Sequence, residues 1–135
     1  MNVIQQDDYR KLGKEFIDLY YPSMGTVGLS KLLYLFSPDV KCTYNGEEMI
    51  GEINVLIKLT EVGIVKIFYD SLTYSVQPIE DKFNWRNKLH IDVTGRCQGV
   101  TGLGTPTNTI AFTESFVFEC TNGQYMIVNH IFRKI

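Results

Sequence analysis

The stretch CTYNGEEMIGEINVLIKL, residues 42–59, changes its structural period twice in eighteen residues. A two-residue hairpin loop favours a turn with positive φ at both central positions, and Asn45 and Gly46 supply this at little steric cost. Residues 42–44 and 47–50 therefore read as paired strands. After Gly51 the apolar positions move to Ile53, Leu56, Ile57 and Leu59, a spacing that fits one face of a helix ending at Gly63. A hairpin that runs straight into a helix restricts the chain to folds in which helices cover a sheet.

The rest of the chain follows that alternation. Tyr9, Leu12, Phe16, Leu19 and Tyr20 recur at three-four spacing with Lys11, Lys14, Glu15 and Asp18 between them, which predicts an amphipathic helix over 5–21, ended by Pro22. A shorter helix is expected after Gly25–Thr26 on Leu29, Leu32, Leu33 and Phe36, stopping before Pro38. Residues 64–77 are rich in β-branched and aromatic side chains. Residues 87–99 alternate Leu89, Ile91, Val93 and Cys97 with His90, Asp92, Thr94 and Arg96. Residues 109–120 and 125–132 complete the strands, joined by a short loop at Thr121, Asn122 and Gly123. The order predicts one α+β domain over 1–135, a strongly bent antiparallel sheet with three helices on its concave face. The hairpin then stands at the mouth of the resulting cone.

Composition narrows the function. With 135 residues and 44% hydrophobic content, the chain is long enough to close one core. Its 13 basic and 15 acidic residues are scattered, so no basic stripe invites direct contact with nucleic acid. Cys42, Cys97 and Cys120 are odd in number and widely spaced, without the pairing of a zinc site or a disulfide framework. No stretch has the length of a membrane span and the N-terminus lacks a signal-like apolar run, so a soluble protein of cytoplasm and nucleus is expected. No phosphate loop, metal set or nucleophile–base arrangement is visible, and no cofactor is expected.

The segments GKEFIDLYY (13–21), YNGEEMIG (44–51) followed by IKL (57–59), VQP (76–78), AFTESFVF (111–118) and YMIVNHIFR (125–133), in this order and spacing, resemble the nuclear transport factor 2 family along almost the whole chain. The closing pattern Asn129, Phe132, Arg133 points to its transport-factor branch. The resemblance implies the cone fold, a homodimer formed through the sheets, and a non-enzymatic role in nucleocytoplasmic transport or as a protein adaptor. Tyr9 matches an aromatic that helps hold Phe-Gly repeats of nucleoporins, and Phe132 matches one that helps floor the partner pocket. Tyr125 is counted with these partner-binding candidates. Where carriers of Ran-GDP have an aromatic and an acid at the hairpin, this chain has Tyr44 and Asn45, and its 98–109 loop has no carboxylate. The hydrophobic half of the apparatus is thus expected without the charged half, leaving Phe-Gly segments or an export receptor as the expected partners and Ran-GDP a weak one.

The same fold also hosts small lyases and isomerases acting on hydrophobic molecules, which makes Glu114, His90 and Asp92 the catalytic candidates. Glu114 shares a strand face with Phe112, Phe116 and Phe118, where lost hydration would favour its protonated form. His90 and Asp92 stand two apart on one polar face, a spacing that suits an acid–base pair and equally a solvated strand. Apolar residues on both faces of 64–77 (Val65, Ile67, Phe68, Leu72, Tyr74, Val76) favour a second copy of the chain as partner.

Overall fold

The structure, a computed structural model, describes residues 6–23, 32–62, 64–79, 88–99, 105, 108–121 and 123–135. Helix α1 spans Gln6–Ser23. Its inward residues are Tyr9, Phe16, Ile17, Tyr20 and Tyr21, while Leu12 is half-buried and Leu19 is exposed. The solvent face carries Lys14 and Asp18, paired at 2.6 Å one helical turn apart. Pro22 lies within the last turn instead of outside it, where its missing N–H removes one terminal bond, and the helix stops one residue later.

The expected second helix falls partly on residues outside those described. Leu32 is buried in a short 3₁₀ turn over 32–35, and Phe36 opens strand β1, Phe36–Tyr44. Pro38 is therefore no helix stop. It sits in β1 between Phe36 and Lys41, where the pairing register slips, and such an irregularity tolerates a residue with no N–H to donate. Two α-helices rather than three are present among the described residues.

The hairpin forms as the sequence predicts. β1 pairs with β2, Glu47–Ile50, in antiparallel register from Tyr44 opposite Glu47, and Asn45 and Gly46 turn with φ of 50° and 87°. Gly51, at φ 101°, redirects the chain into α2, Glu52–Val62. Its N–H donates to the Val40 carbonyl at 2.9 Å, and its own carbonyl accepts from Val55 N–H to begin the helix.

Strands β3 (Ile64–Ile79), β4 (Lys88–Gly99), β5 (Ile110–Thr121) and β6 (Gln124–Lys134) complete a six-stranded sheet of order β2-β1-β6-β5-β4-β3. The sheet is mixed, a correction to the antiparallel expectation, because β1 and β6 run parallel while every other pair is antiparallel. Two rows of paired residues cross its inner face, Tyr44–Phe132–Glu114–Val93–Tyr74 and Cys42–His130–Phe116–Ile91–Val76. Helix α1 lies on these rows so closely that a Cβ on Gly13 would come within 2.2 Å of Val76 Cγ2.

Strand β3 is irregular. Its register against β4 slips between Phe68 and Thr73, and Tyr74 and Val76 then pair with the inward residues Val93 and Ile91. The slip shifts the alternation partway along the strand, so Ile67, opposite buried Cys97, shares the inner face with Tyr74 and Val76, while Phe68, opposite exposed Arg96, stands on the outer one.

Candidate functional site

The cone interior is organised around Glu114, which is 1% exposed. Alternation along β5 turns it inward between Phe112 and Phe116. Phenyl rings alone would leave a carboxylate unsolvated, yet three polar partners reach it. The Tyr20 and Tyr21 hydroxyls donate to Oε2 and Oε1 at 2.9 and 2.8 Å, and His130 Nε2 lies 2.5 Å from Oε2. The other imidazole nitrogen, Nδ1, is 2.8 Å from the Tyr44 hydroxyl. His130 also stacks on Phe116, with ring centroids 4.7 Å apart. Burial, followed by the nearby Glu114 carboxylate, pushes the phenols of Tyr20, Tyr21 and Tyr44 well above their ordinary range.

Sequence reasoning placed Glu114 inside but missed its partners. Tyr20 reads as part of an amphipathic stripe, and Tyr21 only as the end of its helix. His130 faces inward by plain alternation with Phe132, whereas the register slip in the β5–β6 pairing between Val117 and Phe118 turns Ile127 inward further along the strand. Counting back two residues from Phe132 was the one available signal. The chain Tyr44–His130–Glu114 has the groups for proton transfer, but four hollows lined by described residues lie elsewhere. His90 and Asp92 take no part in it. They lie on the outer face of β4, 3.2 Å apart, with Asp92 accepting from the Ser115 hydroxyl.

At the cone mouth Tyr44 and Phe132 are each 1% exposed and pack at 6.0 Å between ring centroids. They belong to the core and do not rim an open slot. Asn45 is exposed, but it makes two hydrogen bonds to β6, its N–H donating to the Phe132 carbonyl at 2.9 Å and its Oδ1 accepting from Lys134 N–H at 2.8 Å.

An open apolar hollow of about 200 Å³ lies instead along α1, where Leu12, Phe16 and Leu19 face Leu35, Leu89, Ile91, Phe118 and Tyr125, with Glu15 the one charged residue of its lining. Tyr125, half-buried, is the one partner-binding candidate that lines it. Burial raises its phenol above the ordinary value, with smaller contributions from Tyr9 and Cys120, so Tyr9 lies near this wall while being itself 2% exposed. Among the described residues no cluster of His, Cys, Asp or Glu could hold a metal ion, and no helix is long and apolar enough to cross a membrane.

No family model matches the chain. It is 29% identical over 133 residues to "Probable nuclear transport factor 2" of Caenorhabditis elegans, covering 93% of this chain and 92% of that one. The structure of nuclear transport factor 2 from Cryptosporidium parvum superposes with a TM-score of 0.71 at 21% identity, over 99% of this chain and 100% of the other. The chain has the NTF2-like fold. Structures of differently named proteins share this fold. The Candida albicans Mtr2–Mex67 M domain complex matches with a TM-score of 0.75 at 13% identity, over 94% of each chain. A ketosteroid isomerase-like protein from Erwinia carotovora atroseptica matches at 0.69 and 9% identity, over 97% and 98%. At such identities the likeness is one of fold, and function rests on the site.

Proposed function

We propose that this NTF2-like chain is a non-enzymatic protein-binding domain acting in nucleocytoplasmic transport or as an adaptor, and that the hollow along α1 seats aromatic side chains of Phe-Gly segments. The observation that carries this reading is a contrast between two sites. The buried carboxylate is engaged by Tyr20, Tyr21 and His130, whereas the partly open hollow offers almost only apolar surface. A phenyl ring gains from such a wall by desolvation and by edge contacts with Phe16 and Phe118. The named relative from Caenorhabditis elegans and the pairing of Mtr2 with Mex67 support a partner-binding role.

Ran-GDP is the weaker partner. The hairpin carries Asn45 in place of an acid, its Oδ1 is committed to Lys134 N–H, and Tyr44 and Phe132 are packed together. Calorimetry with a Phe-Gly repeat peptide tests the proposal. Binding should weaken by about 1–2 kcal/mol in Leu12→Asp, the scale of a lost contact at a small interface, with the fold retained. Undetectable binding by the unmodified chain ends the idea.

A second reading, a small lyase or isomerase acting on a hydrophobic molecule, draws on the Tyr44–His130–Glu114 chain and on the isomerase-like fold neighbour. It requires a small molecule to reach Glu114. Chemical-shift changes at His130 on adding a steroid-like ligand would favour it, and their absence would dismiss it.

A further inference from the structure

Helix α2 carries apolar residues on two faces. Val55 and Leu59 are buried, while Ile53 and Ile57 are 58% and 51% exposed. A helix with apolar residues on more than one side has more than one surface to cover. Positions i, i+4 and i+8 form one ridge, so Ile53, Ile57 and Glu61 line up along solvent with the carboxylate at the end. Beside the ridge, the crease between α2 and edge strand β2 is a hollow of about 170 Å³, lined by Met49, Asn54 and Ile57 and by Glu47, Lys58 and Glu61.

The charge around these isoleucines is one-sided. Lys58 Nζ stands 2.5 Å from a Glu47 oxygen and 3.4 Å from a Glu61 oxygen, so one ammonium serves two carboxylates whose side chains are 66% and 61% exposed. Over residues 44–62 four glutamates stand against that single lysine. This rim disfavours the same surface of a second copy, which would set carboxylate against carboxylate, and equally disfavours an anionic bilayer. It complements a segment that presents a cation beside an apolar side chain.

We infer that the α2 ridge and the α2–β2 crease form a docking site for a basic amphipathic peptide segment of a partner protein. Its apolar side chain covers Ile53 and Ile57, and the aliphatic stem of an arginine or lysine runs along Ile57 and Met49 to bring its charge to Glu47 and Glu61. The site is separate from the hollow along α1 and stands whether or not Phe-Gly segments bind there.

Fluorescence anisotropy on the full chain tests this with a labelled helical peptide bearing a leucine stripe flanked by arginines, and with the same peptide carrying glutamates for the arginines. The arginine peptide should bind at least about tenfold more tightly than the glutamate peptide and should weaken as salt rises. Ile57→Ser and Glu61→Gln should each weaken it on the order of tenfold, while Leu12→Asp leaves it unchanged. Both α2 positions are exposed, so unchanged thermal melts of the variants confirm folding. No binding of the arginine peptide, equal binding of the two peptides, or undiminished binding by both α2 variants overturns the proposal. Dissociation of a dimer by Ile57→Ser also overturns it, because the ridge would then belong to a second copy.

Discussion

Glu114 holds its place because three groups separated from it by 16 to 94 residues in sequence converge on its two oxygens. Removing one partner of a buried, hydrogen-bonded charged cluster strands the others. Glu114→Ala would leave two phenols and an imidazole without their acceptor, and a destabilisation of about 3–5 kcal/mol is expected by urea unfolding. Tyr44→Phe takes away only the contact to His130 Nδ1 and should cost about 1–2 kcal/mol. The same core predicts an alkaline response. The phenols of Tyr20, Tyr21 and Tyr44 are raised in the folded state, and burial raises the thiols of Cys42 and Cys97 to about 12 and about 11 from 9.0. Groups of this kind contribute stability that is fully present below their unfolded values and is lost as pH climbs from those values towards the folded ones. Stability should therefore hold through neutral pH and fall above about pH 9–10, and phenolate absorbance of the buried tyrosines should appear together with unfolding. Phenolate signals from all eight tyrosines in a chain still folded by circular dichroism would contradict this. Alternation in the strand was enough to place Glu114 inside, but its partners follow from tertiary convergence, which no local pattern encodes.

At the scale of elements, the helix–sheet contact is set by what α1 lacks. Alanine is ordinarily favoured over glycine in a helix by about 1 kcal/mol. A Cβ at position 13 would nevertheless press on Val76 Cγ2 at 2.2 Å, and a β-branched side chain in a paired strand has little freedom to withdraw. Overpacking should win, so Gly13→Ala is expected to lower stability by about 1–3 kcal/mol in chemical denaturation, and a stabilised variant would show that α1 rides higher on the sheet. Elements with an explicit local device were legible before the structure. Asn45–Gly46 announced the hairpin, and clean alternation announced β4. Those that depend on context were not. Phe36 and Pro38 look like the end of a helix, yet become a strand once β6 offers β1 a parallel partner. In α2 the length was readable but the face was not, since Ile53 and Ile57 fit the apolar spacing as well as Val55 and Leu59 do, and only the position of β1 decides which pair is covered.

For the whole molecule, the expected outcome concerns association through the outer face of the sheet. A row of paired residues crosses it from Thr43 through Ile131, Ser115 and Asp92 to Ser75. Ile131 is 46% exposed there, Val117 is half-buried on the same strand face as Ser115, and Arg96, His90 and Asp92 flank them. Both described helices leave this face open, and a sheet face that mixes a few apolar residues with hydrogen-bonding ones suits a wet, partly polar interface. A homodimer through this face is therefore the expected solution state. Because charged residues flank its apolar centre, its association should weaken with added salt more than a purely apolar interface would. Ile131→Asp places a carboxylate at that centre and, near the two-fold axis of a symmetric pair, opposes it to its own copy, so the variant should sediment as a monomer at concentrations where the unmodified chain is a dimer. Sedimentation velocity at micromolar concentration and two ionic strengths measures both effects. An unmodified chain that sediments as a monomer under all these conditions removes the dimer, and a dimer unaffected by Ile131→Asp moves the interface away from this face.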